Sequence, residues 1–412
     1  GQFTSDGDMR LRWDFFQNYL DASDEGLGGP PGVNDSYDLF PYRARLGVQG
    51  KFTDRAWGRV ELQAGGWFGD PLATTGYPFP NSQPVNFGLV QLYQGFVTVE
   101  GGTFDFTAGR KEVVLGNELQ IGDNDFYNGL VFDGIDVNGD FSSWDLNLYY
   151  KHLNETFAAR NDTMLWGADA VINIGSTHID PYLLLVKSHG AGALGSFGEN
   201  TELFTFGIAW ERPINEERKG WDLNLEAAGQ TGDTGPDGAK VDFGGFIFEG
   251  WFGWGFGGAG RVHIGYLLAS GDDGSDPTAS DAWVPLFTDP HANNRLGDLD
   301  LFSGFGPNVA DPTGAGMTNI QDISIGYNWW GGERSHAMAA VHMFTRPEVA
   351  AGANDDIGME LDLSYDYMYA ANSRLQIGVS TLFAGDAIKD LTGGQDDNIT
   401  RIWAQVHLNW GK

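Results

Sequence analysis

The sequence predicts an all-β fold: a closed, antiparallel, up-and-down transmembrane β-barrel of about 18 strands. Three observations predict it. The first is period two. In Ile357–Tyr369, IGMELDLSYDYMY, the alternate positions are Ile, Met, Leu, Leu, Tyr, Tyr and Tyr, so one face of a strand meets oil and the other water. The greasy face ends in tyrosines, whose apolar ring and polar hydroxyl suit a membrane boundary. The second is rhythm: long and short connections alternate along the chain, as in barrels with long external loops and short periplasmic turns. The third is composition. Aromatics reach 14% and glycines number 61, yet the hydrophobic fraction is only 41%; lipid-facing positions alternating with polar lumen positions give that average. A soluble β-sandwich would bury its aromatic face on a second sheet and needs no alternation of loop length.

The elements follow in order. Met9–Leu20 sets Met9, Leu11, Trp13 and Phe15 against Arg10, Arg12 and Asp14. Tyr42–Phe52 and Gly58–Phe68 form a hairpin, with Arg43, Arg45 and Arg59 on the polar side. Leu89–Glu100 pairs with Phe104–Lys111, where the parity of Phe106 and Arg110 predicts a bulge at Gly109. Strands follow at about 129–139, Trp144–Lys151, Trp166–Ile174 and Tyr182–Val186; the period breaks in the first and last of these. Phe204 to Trp210, Trp221 to Ala227, Phe246 to Phe252, Val262 to Leu268 and Ile323 to Trp329 alternate in turn. A strand at 335–345, the stretch 357–369, Leu375 to Phe383 and Ile402 to Trp410 complete the set. Long connections lie near 21–40, 69–87, 114–127, 154–163, 187–200, 229–242, 269–317, 346–356 and 384–397. Short ones lie near 53–56, 101–103, 140–143, 175–177, 212–219, 253–258, 331–334 and 370–373. An even strand number puts both termini on the short-turn, periplasmic side.

Composition narrows the function. The formal charge of −32 disfavours nucleic-acid binding. The chain has no cysteine, so thiolate metal sites, disulfides and Cys nucleophiles are excluded. No apolar run reaches the ~18 residues of a transmembrane helix. The opening GQFTSDGD has no basic segment followed by an apolar core, as in a chain whose leader is gone or never existed. Strands ~4.8 Å apart and tilted ~40° make a barrel roughly 35 Å across, too wide for side chains to fill. The interior is therefore expected to be a water-filled pore narrowed by inward loops, in one 412-residue domain without a separate plug.

In a pore the chemistry is selection by charge and size. Inward basic residues gather on neighbouring strands: Arg10, Arg12, Arg43, Arg45, Arg59 and, across the closure, Arg401, with Arg110 and Arg261 added. Inward acids lie elsewhere: Asp222, Glu226, Glu249, Asp322, Glu360, Asp362 and Asp366. One reading is a basic wall facing an acidic wall across water. The other is cross-strand pairing that stiffens the barrel.

Three stretches resemble the alginate-export family of outer-membrane barrels. They are GFVTVEGGTFDFTAGRKEVVLGNELQIGDNDF at 95–126, GYLLASGDDGSDP at 265–277 with PLF, His291 and Gly297 beyond it, and DIGMELDLSYDYMY at 356–369. The resemblance implies an eighteen-stranded monomeric channel with an arginine-lined constriction, to which Arg110 has the best-matched context. The founding member of that family exports a polyuronate, and other relatives look like general or sugar-selective porins. This chain departs from the pattern in its acidity and its shorter loops.

The expected function is passive diffusion of small hydrophilic solutes across the outer membrane. The alternatives are export of an anionic polysaccharide such as alginate, and a barrel that sheathes a partner protein. No cofactor is expected beyond a structural calcium, for which Asp123 and Asp125 in GDND and Asp272, Asp273 and Asp276 in GDDGSD are the oxygen donors. Catalysis is not expected, because the pairs Ser188–His189 and Ser335–His336 are adjacent on strands and point to opposite faces.

Overall fold

A computed structural model describes the chain except residues 1, 20–35, 69–89, 127–128, 155–161, 190–199, 237, 259, 302–316, 393 and 412. Most of the long connections expected near 21–40, 69–87, 154–163 and 187–200 lie outside the described residues. Eighteen long strands form the wall. They are β1 (Phe3–Gln17), β2 (Pro41–Thr53), β3 (Ala56–Trp67), β4 (Gln91–Glu100), β5 (Phe104–Lys111) and β6 (Phe132–Asp140). Next come β7 (Trp144–Asn154), β8 (Thr163–Ile174), β9 (Thr177–Ser188), β10 (Thr201–Arg212), β11 (Lys219–Thr234) and β12 (Phe246–Phe256). The last are β13 (Gly260–Ala269), β14 (Ile320–Trp330), β15 (Ser335–Thr345), β16 (Asp356–Ala370), β17 (Ser373–Ala384) and β18 (Ile399–Trp410). Each pairs antiparallel with the next, and β18 returns to β1 from Gly7–Trp410 to Gln17–Thr400. Closure leaves no strand edge for lipid to desolvate.

The outward face is apolar all the way round. Phe204, Phe206, Ile208 and Trp210 of β10 stay exposed, as do Trp254, Trp329 and Trp410 near the short turns. Bare in water, such a surface would aggregate; in a bilayer it is the lipid contact. Among the described residues no helix is long and apolar enough to cross a membrane; the strands make the crossing.

Of the register irregularities among the described strands, two redirect side chains that bear on the site. The strand register is continuous through Gly109, and the bulge falls instead on the neighbouring strand, where Tyr93 is the extra residue opposite Glu61–Leu62. It flips parity, so that Leu92 and Val97 face out while Tyr93 and Thr98 face in. A second bulge, between β15 and β16, lies at Ile357, next to Gly358 at φ +133°. It turns Ile357 into the interior, where it is fully buried, and lipid contact on this stave begins at Met359.

The long-loop half of the barrel is not an empty tube. The segments 112–126 and 270–301 fold inward and meet at an Ile121–Phe287 bridge. Leu115, Leu119 and Ile121 of the first pack with Trp283, Leu299 and Leu301 of the second. Inward residues of the wall join them, Leu184, Val186, Leu203 and Ile247 among these. This explains the weak period of β9: both of its faces are apolar because loops cover the inner one. Among the described residues the one α-helix, α1 (Asp386–Leu391), closes over the same core with Ala387 and Ile388. The short-turn half keeps a polar inner face, with Asp6, Gln94, Asn147 and Asp366 partly exposed.

Candidate functional site

The basic wall forms as the parity predicts. Arg10 and Arg12 of β1, Arg43 and Arg45 of β2, Arg59 of β3 and Arg401 of β18 point inward from adjoining strands. Acids rise beside them. Arg43 bonds Asp8 at 3.0 Å, Arg12 bonds Asp14 at 2.8 Å, Arg401 bonds Asp14 at 2.9 Å, and Arg59 bonds Asp6 at 2.7 Å. Cross-strand pairing is thus part of this wall, and it holds the guanidinium groups in place.

The first inward loop lands on that wall. The Asp125 carboxylate accepts from Arg43 at 2.7 Å and from Arg45 at 2.5 Å, and Arg10 donates to its backbone carbonyl at 2.7 Å. Burial opposes ionisation of Asp125, yet Arg43, Arg45 and Arg10 hold its carboxyl below the usual range. Arg12 lies 3.9 Å over the ring of Phe126, which stacks on His291 of the second loop at 3.8 Å. Gly129, at φ +77°, lets the returning chain lie against Tyr93 and Arg45. From the second loop, Asp300 bonds both His291 and Arg401. The arrangement seats both inward loops on the arginine wall, through buried guanidinium groups and loop carboxylates.

The acids expected opposite do not face the arginines across water. Glu226, Glu249, Glu360 and Asp362 are fully buried and Asp322 nearly so, because the inward loops stand over them. Glu249 pairs with Arg295 of the second loop at 2.6 Å. Glu226 accepts from the Asn117 backbone N–H at 2.8 Å and the Tyr182 hydroxyl at 2.7 Å. Glu360 accepts from the Leu299 N–H at 2.8 Å. Asp322 and Asp362 flank His342 at 2.7 and 3.6 Å. Glu226, Glu249 and Glu360 thus anchor loops, Asp322 and Asp362 hold His342 across neighbouring strands, and of the expected acids Asp222 and Asp366 lie toward the open, short-turn half.

Arg110 is a further correction. It shares the parity of Phe104 and Phe106, both outward, and pairs with Asp133 at 2.6 Å with both side chains well exposed. It sits on the outer face at the long-loop end, away from the lumen. Arg261 does face inward, bonded to Asp222 at 2.9 Å by its Nε.

The calcium donors also separate. Asp272, Asp273 and Asp276 accept from N–H groups of their own loop, the ordinary use of aspartate in a turn. Asp125 belongs to the arginines. Asp123 gathers with Glu118 and Asp289, their oxygens within 4.8 Å of one another. That trio joins the two inward loops and has a pH signature. Burial and then Asp289 and Asp123 push the Glu118 carboxyl up to about 7. A raised acid stabilises the folded seam fully below its unfolded value, and that contribution disappears as pH rises through about 7. Current noise from loop movement is therefore expected to grow between pH 6 and 8 in planar-bilayer recordings, and Glu118→Gln is expected to flatten that dependence.

Sequence reasoning missed the loop groups that build the site: Arg295, His291, Asp300 and Phe126. His291 and Arg295 fall in the stretch from PLF to Gly297 and Phe126 ends the 95–126 stretch, but neither stretch carries a strand period at these residues, and Asp300 has no signal at all.

The family described as alginate export matches residues 22–403. Solved structures similar over nearly the whole chain include OccK9 (OpdG) of Pseudomonas aeruginosa, with a TM-score of 0.63 and 12% identity over 99% of this chain and 98% of that one. The outer membrane protein opdK of Pseudomonas aeruginosa gives 0.60 and 12%, covering 99% of each chain. A BenF-like porin from Pseudomonas fluorescens gives 0.58 and 14%, covering 98% of each. At these identities the likeness is one of fold. No curated protein matches the chain by sequence.

Proposed function

The chain belongs to the alginate export family, and we propose that it is an outer-membrane channel for passive diffusion of small hydrophilic solutes, with preference for those bearing a carboxylate. One observation carries the preference: the arginine wall already holds a carboxylate, that of Asp125, between Arg43 and Arg45. A solute carboxylate meets the same two donors, in a passage where water competes poorly.

The barrel is proposed to act as a monomer, because one chain closes all its own strand edges. The start of β1 and the end of β18 lie at the short-turn end, which we assign to the periplasm; a C-terminal tag is then expected to resist protease in intact cells. Export of an anionic polymer such as alginate would use the same arginines. Packed loops filling the long-loop half favour small solutes over a polymer, and they leave little room for a sheathed partner protein.

Two measurements test the reading. In liposome swelling, galacturonate is expected to enter at least as fast as galactose, and Arg43→Ala with Arg45→Ala is expected to abolish that parity. In single-channel recording, polyuronate is expected to leave the current unblocked. Galacturonate excluded while galactose enters would overturn the carboxylate preference; no uptake of either would overturn the channel.

A further inference from the structure

Away from the arginine wall, a cavity of about 300 Å³ opens on the inner face of β10 to β15, on the short-turn side of the second inward loop. Its size is at the lower end for small-molecule sites. Trp251 supplies its aromatic surface and is nine-tenths buried. The Trp251 indole N–H has no hydrogen-bond partner among the described residues, and neither do the side-chain oxygens of Asn224 and Asn294. Asn294, on the second loop, forms the roof. Buried polar atoms normally find partners, so a wall with a free donor and two free acceptors is built to receive a molecule that offers both.

The charges decide which molecule. The acids Glu211 and Asp222 are matched by Arg212 and Arg261 around the same cavity. Arg261 is fully engaged: it grips Asp222 and lies 3.2 Å from His263. Arg212 lies 3.6 Å over the ring of Trp221 and donates to that residue's carbonyl. Two acids and two bases leave the lining with no net charge to favour an anion or a cation. The other polar groups are neutral. Asn328 donates to His263 Nδ1 at 3.2 Å, which leaves the imidazole Nε2 as a donor. An aromatic ring beside amides of both polarities suits a ring whose C–H face is apolar and whose hydroxyls both donate and accept.

We propose that this cavity is a binding site for a neutral monosaccharide, distinct from the arginine wall and reached from the short-turn end. The proposal goes beyond the channel reading, and its test does not depend on conduction. Saturation-transfer NMR with D-glucose on the detergent-solubilised barrel is expected to give a saturable signal. Trp251→Phe, which keeps a ring and removes the N–H, is expected to weaken binding severalfold, and Asn328→Ala likewise. Trp251→Ala is expected to weaken it tenfold or more, and Arg110→Ala, on the outer face, to leave it unchanged. Heat-modifiable gel mobility confirms that each variant is folded. A folded barrel without saturable glucose binding overturns the site. So does glucose binding that Trp251→Phe and Asn328→Ala leave untouched, or tighter binding of glycine or galacturonate than of glucose.

Discussion

Arg295→Ala is expected to loosen both inward loops and turn a quiet channel into a noisy one of higher conductance. The guanidinium is fully buried. It bonds both Glu249 oxygens, at 2.6 and 2.7 Å, and donates to the carbonyls of Asn117 at 2.7 Å, Glu118 at 3.3 Å and Asp289. One side chain therefore ties the β12 wall to the first loop and to its own. Truncation leaves Glu249 as a buried charge without its partner, a loss of about 3–5 kcal/mol. The cost falls on the loop seam, because the eighteen strands keep their own ladder of hydrogen bonds. Folded-barrel gel mobility is thus expected to survive while open-channel noise rises. Arg295→Lys is expected to rescue only partly, since an ammonium cannot span two carboxylate oxygens and three carbonyls. Replacing both partners, Arg295→Met with Glu249→Leu, is expected to restore much of the quiet state, since an apolar pair of similar volume needs no compensating charge. A truncation that leaves conductance and noise unchanged would show that the loops are held by their apolar contacts alone.

The contrast between wall and lumen explains what the sequence reveals. Each stave is half exposed to lipid, so residues such as Leu361, Leu363 and Tyr365 alternate with Glu360, Asp362 and Ser364, and the barrel, its strand number and its closure can be read from that period. The arginine wall is legible for the same reason, being the other half of the alternation. The occupants of the lumen are not. Leu115, Trp283 and Arg295 lie on loops whose path follows no period, so nothing local says that they turn inward. Their effect on the wall is visible only as an anomaly: Tyr182, Leu184 and Val186 are apolar on a face that should be wet. Parity gives the direction of a charged side chain but not what covers it. Glu249 and Glu360 do point inward, but inward there means under a loop. Arg110 failed differently, because the bulge at Tyr93 lies on the adjoining strand and β5 itself runs without a break.

Asp125→Ala is expected to raise the anion-to-cation permeability ratio several-fold, to about tenfold. In the native channel the Asp125 carboxylate occupies Arg43 and Arg45. Its removal frees those donors without displacing them, because Arg43 still bonds Asp8 at 3.0 Å and Arg45 still bonds Gln63 at 2.6 Å. A contact between unit charges near a protein surface is worth at most ~4 kcal/mol at an effective dielectric of ~20. Salt and the neighbouring acids Asp8 and Glu61 screen most of that, and a tenfold change needs only about 1.4 kcal/mol. The pH dependence separates this origin from loop loosening. The folded carboxyl of Asp125 lies below its unfolded value of 3.8. The stability it contributes is therefore present above 3.8 and is lost only as pH falls through the lower folded value. Wild-type selectivity should accordingly stay level from pH 7 down to about 4, a range in which the Glu118 seam tightens. The Asp125→Ala shift should persist across that range, while Arg43→Ala with Arg45→Ala should move selectivity the opposite way. If reversal potentials for Asp125→Ala match the native channel at every pH, the bound aspartate is a structural strut and the arginine wall does not choose the ion.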